Sequence, residues 1–334
     1  MLSPASLLRL PYDASLTLAG IEYAKKSLHY TYNRMHLKLD ARLRKIAAGV
    51  AVELAFQRWL DANAVPYDRL GLTAFTQKDK YDLALGGRRC DLKSFFVTHR
   101  DKITLMRRDP SVLLDATALV PDDQFRGESL SENDFYLFGF LAGLETRRPE
   151  ELEKAALADQ PLYLLYTPNE SAWLGEPAWR SLGKLALKAN TRGPLEVEIG
   201  GQDEKRAALI ERLWLEPRTR AETQNEFYSL LYVHPTRQPK NTLGVRSPTL
   251  KDTRLIEPGD WANIWVYGME IVLTGWMTKS DFRKQSQRLP AGSSVWQYPR
   301  TQTDNRALPI RDLRPIEELV ALVKNSAWGQ PRSL

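Results

Sequence analysis

Apolar residues recur on one helical face over 42 to 62, at Leu43, Ile46, Ala47, Val50 and Leu54, while Val52, Phe56 and Trp59 fall on the opposite side. A helix that is apolar around most of its circumference has to be buried between layers. The period then shortens to two across 73 to 97, where TAFTQ and KYDLALGGRRCDLKSFFV read as β structure with Gly86-Gly87 as a hairpin turn. DFYLFGFLAGL (134 to 144) reads as a buried strand, 150 to 158 as a helix and PLYLLYTP (161 to 168) as another strand. From about 170 to 262 the pattern is irregular and proline-bearing, with short aromatic strands such as EFYSLLYV (226 to 233). Regular structure resumes in ANIWVYGMEIVLTGW (262 to 276) and runs into a helix at 279 to 287, whose start from Thr278 to Asp281 is an acidic variant of the capping box. Pro315 opens a last helix, PIEELVALVKN, in the first-turn position that suits proline.

These elements predict an α/β fold, a mixed β-sheet flanked by helices, carrying a large insertion. The expected divisions are a basic N-terminal segment over 1 to 41, a first part of the core over 42 to 144, an insertion over 145 to 262 that recognises substrate or partner, and a completion of the core over 263 to 334. A length of 334 residues, more than one hydrophobic core usually holds, agrees with a core plus an insertion. The single cysteine, Cys90, excludes an internal disulfide and any zinc site built on several thiolates, which fits a reducing cytoplasmic compartment. The opening MLSPASLLRLPYDASL lacks the pattern of a secretory leader, and no stretch approaches the roughly 18 apolar residues of a membrane span, so a soluble, unprocessed chain without membrane partners is expected.

A formal charge of +6 favours polyanionic partners, and its distribution sharpens the point. Residues 24 to 45 hold seven Lys or Arg against one acid, 231 to 256 five against one, and 283 to 314 seven against two. Each is a candidate phosphate-tracking face as well as an ordinary solvated one. The four histidines show no ligand spacing, and no P-loop, GxGxxG or GxSxG motif is present.

The hairpin carries the chemistry. With Gly86 and Gly87 as its two-residue loop, Leu85 faces Arg88, Leu83 faces Cys90, Asp82 faces Asp91 and Lys80 faces Lys93. Tyr81, Leu83, Leu85, Cys90 and Leu92 then form a core face, and Lys80, Asp82, Arg89, Asp91 and Lys93 the other. Two carboxylates directly opposed on a sheet, at a Cβ separation of about 4.5 to 5.5 Å, repel each other unless a cation lies between them. Such a pair suits Mg2+, which takes one or two protein carboxylates and keeps several waters. The expected metal ligands are Asp82, Asp91 and the backbone carbonyl of Leu92, with Mn2+ as a substitute ion. Lys93, two residues past Asp91, shares its face and can serve a phosphoryl oxygen or the attacking water.

The run of Asp82, eight residues, then Asp91-Leu92-Lys93 resembles the motif of the PD-(D/E)XK, restriction-endonuclease-like nucleases, with Tyr81 in the place of the family's proline. The acidic residue of the family's preceding helix resembles Glu53, in GVAVELAFQRWL, and Gln57 one turn later suits a supporting partner. The resemblance implies a restriction-endonuclease-like core, with a strand like DFYLFGFLAGL and another running into a helix like MEIVLTGWMTKSDF. It covers roughly half of the chain and says nothing of the insertion. The implied activity is Mg2+-dependent hydrolysis of phosphodiester bonds, as a DNA endonuclease in restriction, phage defence or mobile-element biology. Glu53, Asp82, Asp91 and Lys93 are its implied catalytic residues, Glu53 a further implied metal ligand, DNA rather than RNA its partner, and a homodimer or a partner protein its assembly. Two rival readings stay open: a non-catalytic nucleic-acid-binding subunit of a larger complex, and a structural or interaction module whose charged hairpin face is solvated.

Overall fold

The computed structural model describes residues 2–28, 37–68, 83–127, 130–158, 163–265 and 268–325. They form two compact units: the first takes in the described residues up to 36, those of 45–144 and those from 268 on, the second 37–44 and 145–267.

The chain enters through β1 (Leu8–Leu10) and α1 (Ala14–Ser27), whose first turn is capped by the Asp13 carboxylate accepting from the Ser15 amide at 2.8 Å. The next helix, α2 (Leu39–Ala62), starts a little ahead of its expected place. From 43 to 60 only Lys45 and Arg58 are exposed, so the helix is enclosed as its composition requires. The row buried deepest is the small one, Ala47, Ala48, Ala51 and Ala55 with Val52 and Phe56, whereas Ile46, Val50 and Leu54 are half-buried. Close approach explains this choice: a Cβ at Gly20 of α1 would lie 2.4 Å from the Ala47 carbonyl oxygen.

The hairpin follows as β2 (Leu83–Leu85) and β3 (Arg88–Val97). Gly86 and Gly87 have φ of 56° and 72°, the left-handed values of the mirror-image turn that matches strand twist. Leu85 pairs with Arg88, Ala84 with Arg89 and Leu83 with Cys90, the register read from the sequence. Its continuation through Asp82, Tyr81 and Lys80 lies outside the described residues. From β3 the chain passes through α3 (Arg100–Arg108), β4 (Thr117–Pro121) and α4 (Asp122–Arg126) to β5 (Phe135–Ala142). This last strand runs parallel to β3, from Cys90 opposite Phe135 to Val97 opposite Ala142. All its residues are buried, as a continuous apolar run in a covered strand should be.

The stretch of about 170 to 262, expected to be irregular, is not, and the described residues from 145 to 265 form a regular series. After α5 (Pro149–Leu157) they hold β6 (Leu164–Leu165), β7 (Gly183–Ala189), β8 (Leu195–Gln202), β9 (Ala208–Leu215), β10 (Arg220–Phe227), β11 (Ser229–Pro235), β12 (Leu243–Ser247), β13 (Asp252–Ile256) and β14 (Ala262–Asn263). One antiparallel sheet has the order β10-β7-β12-β13 and another β11-β8-β9, with β14 paired to β6. Trp173, Leu187, Ile199, Phe227, Val245 and Trp261 belong to the core of this unit. The expected strand 226 to 233 is two strands of different sheets that part at Tyr228, and that of 161 to 168 is a strand only at 164 and 165 among the described residues.

The chain returns to the first unit as β15 (Glu270–Thr278), α6 (Lys279–Gln285), β16 (Gln287–Leu289), β17 (Asn305–Pro309) and α7 (Ile316–Lys324). The regular stretch expected over 262 to 276 is therefore divided, β14 belonging to the second unit and β15 to the first. The Thr278 hydroxyl accepts from the Asp281 amide at 3.1 Å, the cap expected for α6, and Pro315 stands one residue ahead of α7. The main sheet has the order β1-β15-β5-β3-β2, with β3 and β5 its parallel pair, and β16-β17-β4 form a second sheet. The fold is mixed α/β, a mixed sheet flanked by helices. No described helix is long and apolar enough to cross a membrane.

Candidate functional site

Alternation along β3 divides Cys90, Leu92, Ser94 and Phe96 from Asp91, Lys93, Phe95 and Val97. Helix α2 covers the first set, since a Cβ at Gly49 would lie 3.7 Å from the Ser94 hydroxyl oxygen. Cys90 is fully buried there, a structural thiol as its position in the hairpin implies, while Leu92 is half-buried. The second set is not simply a charged face, because Phe95 and Val97 on it are buried too. Phe95 packs against Phe138, Phe140 and Tyr298, and Phe282 of α6 against Tyr136, Phe138 and Phe125 of α4. Asp91 and Lys93 thus stand beside an aromatic layer.

Their side chains are 18% and 14% exposed, too enclosed for a solvated charged face. The Lys93 ammonium lies 2.6 Å from Asp91 Oδ2 and donates to Gln124 Oε1 at 3.0 Å. Little water is left to screen the pair, so each charge depends on the other, and losing one partner leaves a costly isolated charge. Gln124 comes from α4 and carries no signal in the sequence. A lone glutamine in a polar stretch has no periodicity or motif to mark it, and only the return of the chain after β4 brings it to Lys93.

Tyr136, the register partner of Asp91 on β5, is buried. Burial pushes its phenol well above the ordinary range, the Asp91 charge pushes the same way, Arg283 opposes and Glu132 adds to the rise. Asp134, just before β5, ties that strand to the hairpin: its carboxylate accepts from the Arg89 amide at 2.9 Å and from the Ser131 amide at 2.6 Å.

Glu53 stands on α2, the helix over the Ser94 side of β3, and accepts from Gln57 Nε2 at 2.9 Å, the partner expected for it. Asp82 lies outside the described residues, as do His29 and His36. Leu92, whose carbonyl is an expected ligand, lies between Asp91 and Lys93 in register with Leu137. Among the described residues, then, Asp91, Lys93 and Gln124 are in direct contact. No group of three or more His, Cys, Asp or Glu side chains suited to a metal gathers among those residues. Mg2+ does not require one, because it takes one or two carboxylates and completes its shell with water. Asp91 is a donor of the right hardness, and a second carboxylate is what it needs beside it.

His234 belongs to the second unit, where its ring stacks on Tyr163 with centroids 3.7 Å apart and its Nδ1 lies 2.6 Å from the Leu164 carbonyl oxygen. His99 precedes α3 as its N-cap residue.

No family model matches the chain, and no curated protein and no solved structure matches it.

Proposed function

We propose that this chain is a metal-dependent nuclease with a restriction-endonuclease-like core that hydrolyses phosphodiester bonds of DNA. The observation that carries the reading is the enclosed Asp91–Lys93 pair, two residues apart on one strand face, with an amide oxygen holding the ammonium from the far side. The surrounding order supports it. Helix α2 precedes the hairpin, and β5 and β15, the latter running into α6, lie in the same sheet as β3.

In this reading Asp91 and Asp82 would hold Mg2+ together with the Leu92 carbonyl, Mn2+ substituting, whereas Glu53, on the helix over the Ser94 side of β3 and bonded to Gln57, would stand outside that set of ligands. When bound, the ion polarises the phosphate and lowers the pKa of a water molecule. Lys93 places its ammonium against the phosphoryl oxygen on which charge develops, and Gln124 keeps that ammonium from swinging out to solvent. Water attacks phosphorus, the bond to the leaving oxygen breaks, and that oxygen takes up a proton. The aromatic layer behind the pair limits competing solvent and strengthens each electrostatic contact.

Nicking of supercoiled plasmid in Mg2+, repeated in Mn2+, tests this. Asp91→Asn and Lys93→Met should each lower the rate by about a hundredfold or more, the scale of losing a group that stabilises transition-state charge. Wild-type rates in either folded variant would remove the assignment. Salt-sensitive DNA binding by the wild type without any cutting would put a non-catalytic binding subunit in its place.

A further inference from the structure

The third basic stretch, 283 to 314, folds on the same side of the main sheet as Asp91 and Lys93, as the packing of Trp296 on Phe140 and of Tyr298 on Phe95 shows. Around Phe125, the neighbour of Gln124, three cations converge. Lys279 Nζ lies 5.9 Å from the ring centroid, Arg283 Cζ 5.8 Å and Arg306 Cζ 5.5 Å. Gathering like charges on one ring is unfavourable without compensation, and here it is incomplete. Arg283 has Glu132 at 2.5 Å. Buried Lys279 donates to the carbonyls of Gly127 at 3.2 Å and Leu130 at 2.9 Å, and half-buried Arg306 to the carbonyls of Ser286 at 2.8 Å and Arg283 at 3.3 Å and to the Ser286 hydroxyl at 3.2 Å. These acceptors are neutral. Among the described residues, neither Lys279 nor Arg306 has a carboxylate at ion-pair distance.

We infer that this cluster is a phosphate-binding subsite, at which Arg283 and Arg306 grip the backbone of the DNA strand whose scissile bond meets Asp91 and Lys93. The inference rests on the nuclease reading and names the residues that hold its substrate. Lys279 is too enclosed to touch a ligand and supplies field, whereas the guanidinium of Arg283, with a side chain 52% exposed, is open to one. Planar guanidinium groups match phosphate oxygens two at a time, and the exposed Arg283–Glu132 pair costs little to exchange for a phosphate. Gln124, which accepts from Lys93 at 3.0 Å, is followed directly by Phe125 with its three cations, which sets the subsite next to the reactive pair. A phosphodiester spanning both would be held by cations on one side and presented to the carboxylate on the other.

The test is fluorescence anisotropy of a labelled 20-base-pair DNA duplex with the full chain in EDTA, over a series of NaCl concentrations. Arg283→Gln with Arg306→Gln should raise Kd about tenfold, and the slope of log K against log salt should shrink by about 0.9 for each phosphate that is no longer neutralised. Arg306→Lys, which keeps the charge, should hold the wild-type slope, and so separates weakened binding from impaired folding. Arg220→Gln, on β10, should change neither quantity. If the double variant binds with wild-type affinity and slope while plasmid cutting still requires Asp91, the subsite is wrong and the nuclease reading survives. A wild type that neither binds the duplex nor cuts plasmid overturns both.

Discussion

Lys93 is held from two sides, by a carboxylate on its own strand and by the amide of Gln124 on α4, and the two partners have different consequences. Removing Asp91 takes away the compensating charge, whereas removing Gln124 takes away only direction. Under the nuclease reading, Gln124→Leu should lower kcat about tenfold with KM little changed, since an ammonium that wanders fails at the transition state more than at binding. Gln124→Glu, which keeps an acceptor, should recover most of the loss in the same plasmid assay. A second expectation concerns the phenols on this side of the sheet. Burial holds Tyr136 well above the ordinary 10.0 and pushes half-buried Tyr298 up to about 12. The folded chain therefore keeps protons that the unfolded chain releases. This contribution to stability is whole below about pH 10 and fades as pH climbs through the folded values. Urea midpoints should fall above about pH 10, with the share of tyrosinate absorbance that belongs to these two phenols appearing on unfolding. Midpoints that stay level through that range would contradict it.

At the scale of elements, local signals are legible wherever one residue type has a single structural answer. Two glycines between alternating strands leave only the mirror-image turn, and the observed pairing from Leu83–Cys90 to Leu85–Arg88 follows from it. Gly87→Val should cost about 1 to 2 kcal/mol through the left-handed φ it must adopt, read as a lower urea midpoint with an unchanged slope. Gly20→Val, on α1, should cost about 1 to 3 kcal/mol by forcing the helix off the Ala47 carbonyl. Strand β10 is illegible for the opposite reason. RAETQNEF buries only Thr223 and Phe227, so its pattern looks like a loop until the neighbouring strand β7 supplies the ladder. The Phe95 side of β3 reads as purely charged because Asp91 and Lys93 dominate the sequence there. Yet α4, α6 and residues 295 to 298 bring an aromatic layer to it.

At the scale of the whole molecule, the second unit is closed by residues far apart in the chain. Buried Arg44 reaches Asp40 at 2.8 Å, Glu145 at 2.8 Å and the Asn263 carbonyl at 3.1 Å, and Arg147 adds an ion pair to Asp40 at 3.2 Å. Arg44→Met should destabilise this unit by about 3 kcal/mol or more, because it strips a buried carboxylate of its main partner. Thermal unfolding followed by tryptophan fluorescence, to which Trp173 and Trp261 contribute, would show the loss as a lower transition temperature, and an unchanged one would refute it. What the sequence by itself determined is local: the enclosed helix, the glycine turn and its register, and the adjacency of Asp91 and Lys93 on one strand face, all consequences of backbone geometry repeating over a few residues. What only the tertiary structure decided is which distant groups meet them. Gln124 on Lys93, three cations on Phe125, and the attachment of 37–44 to the second unit depend on where the chain returns, and no short-range periodicity encodes that.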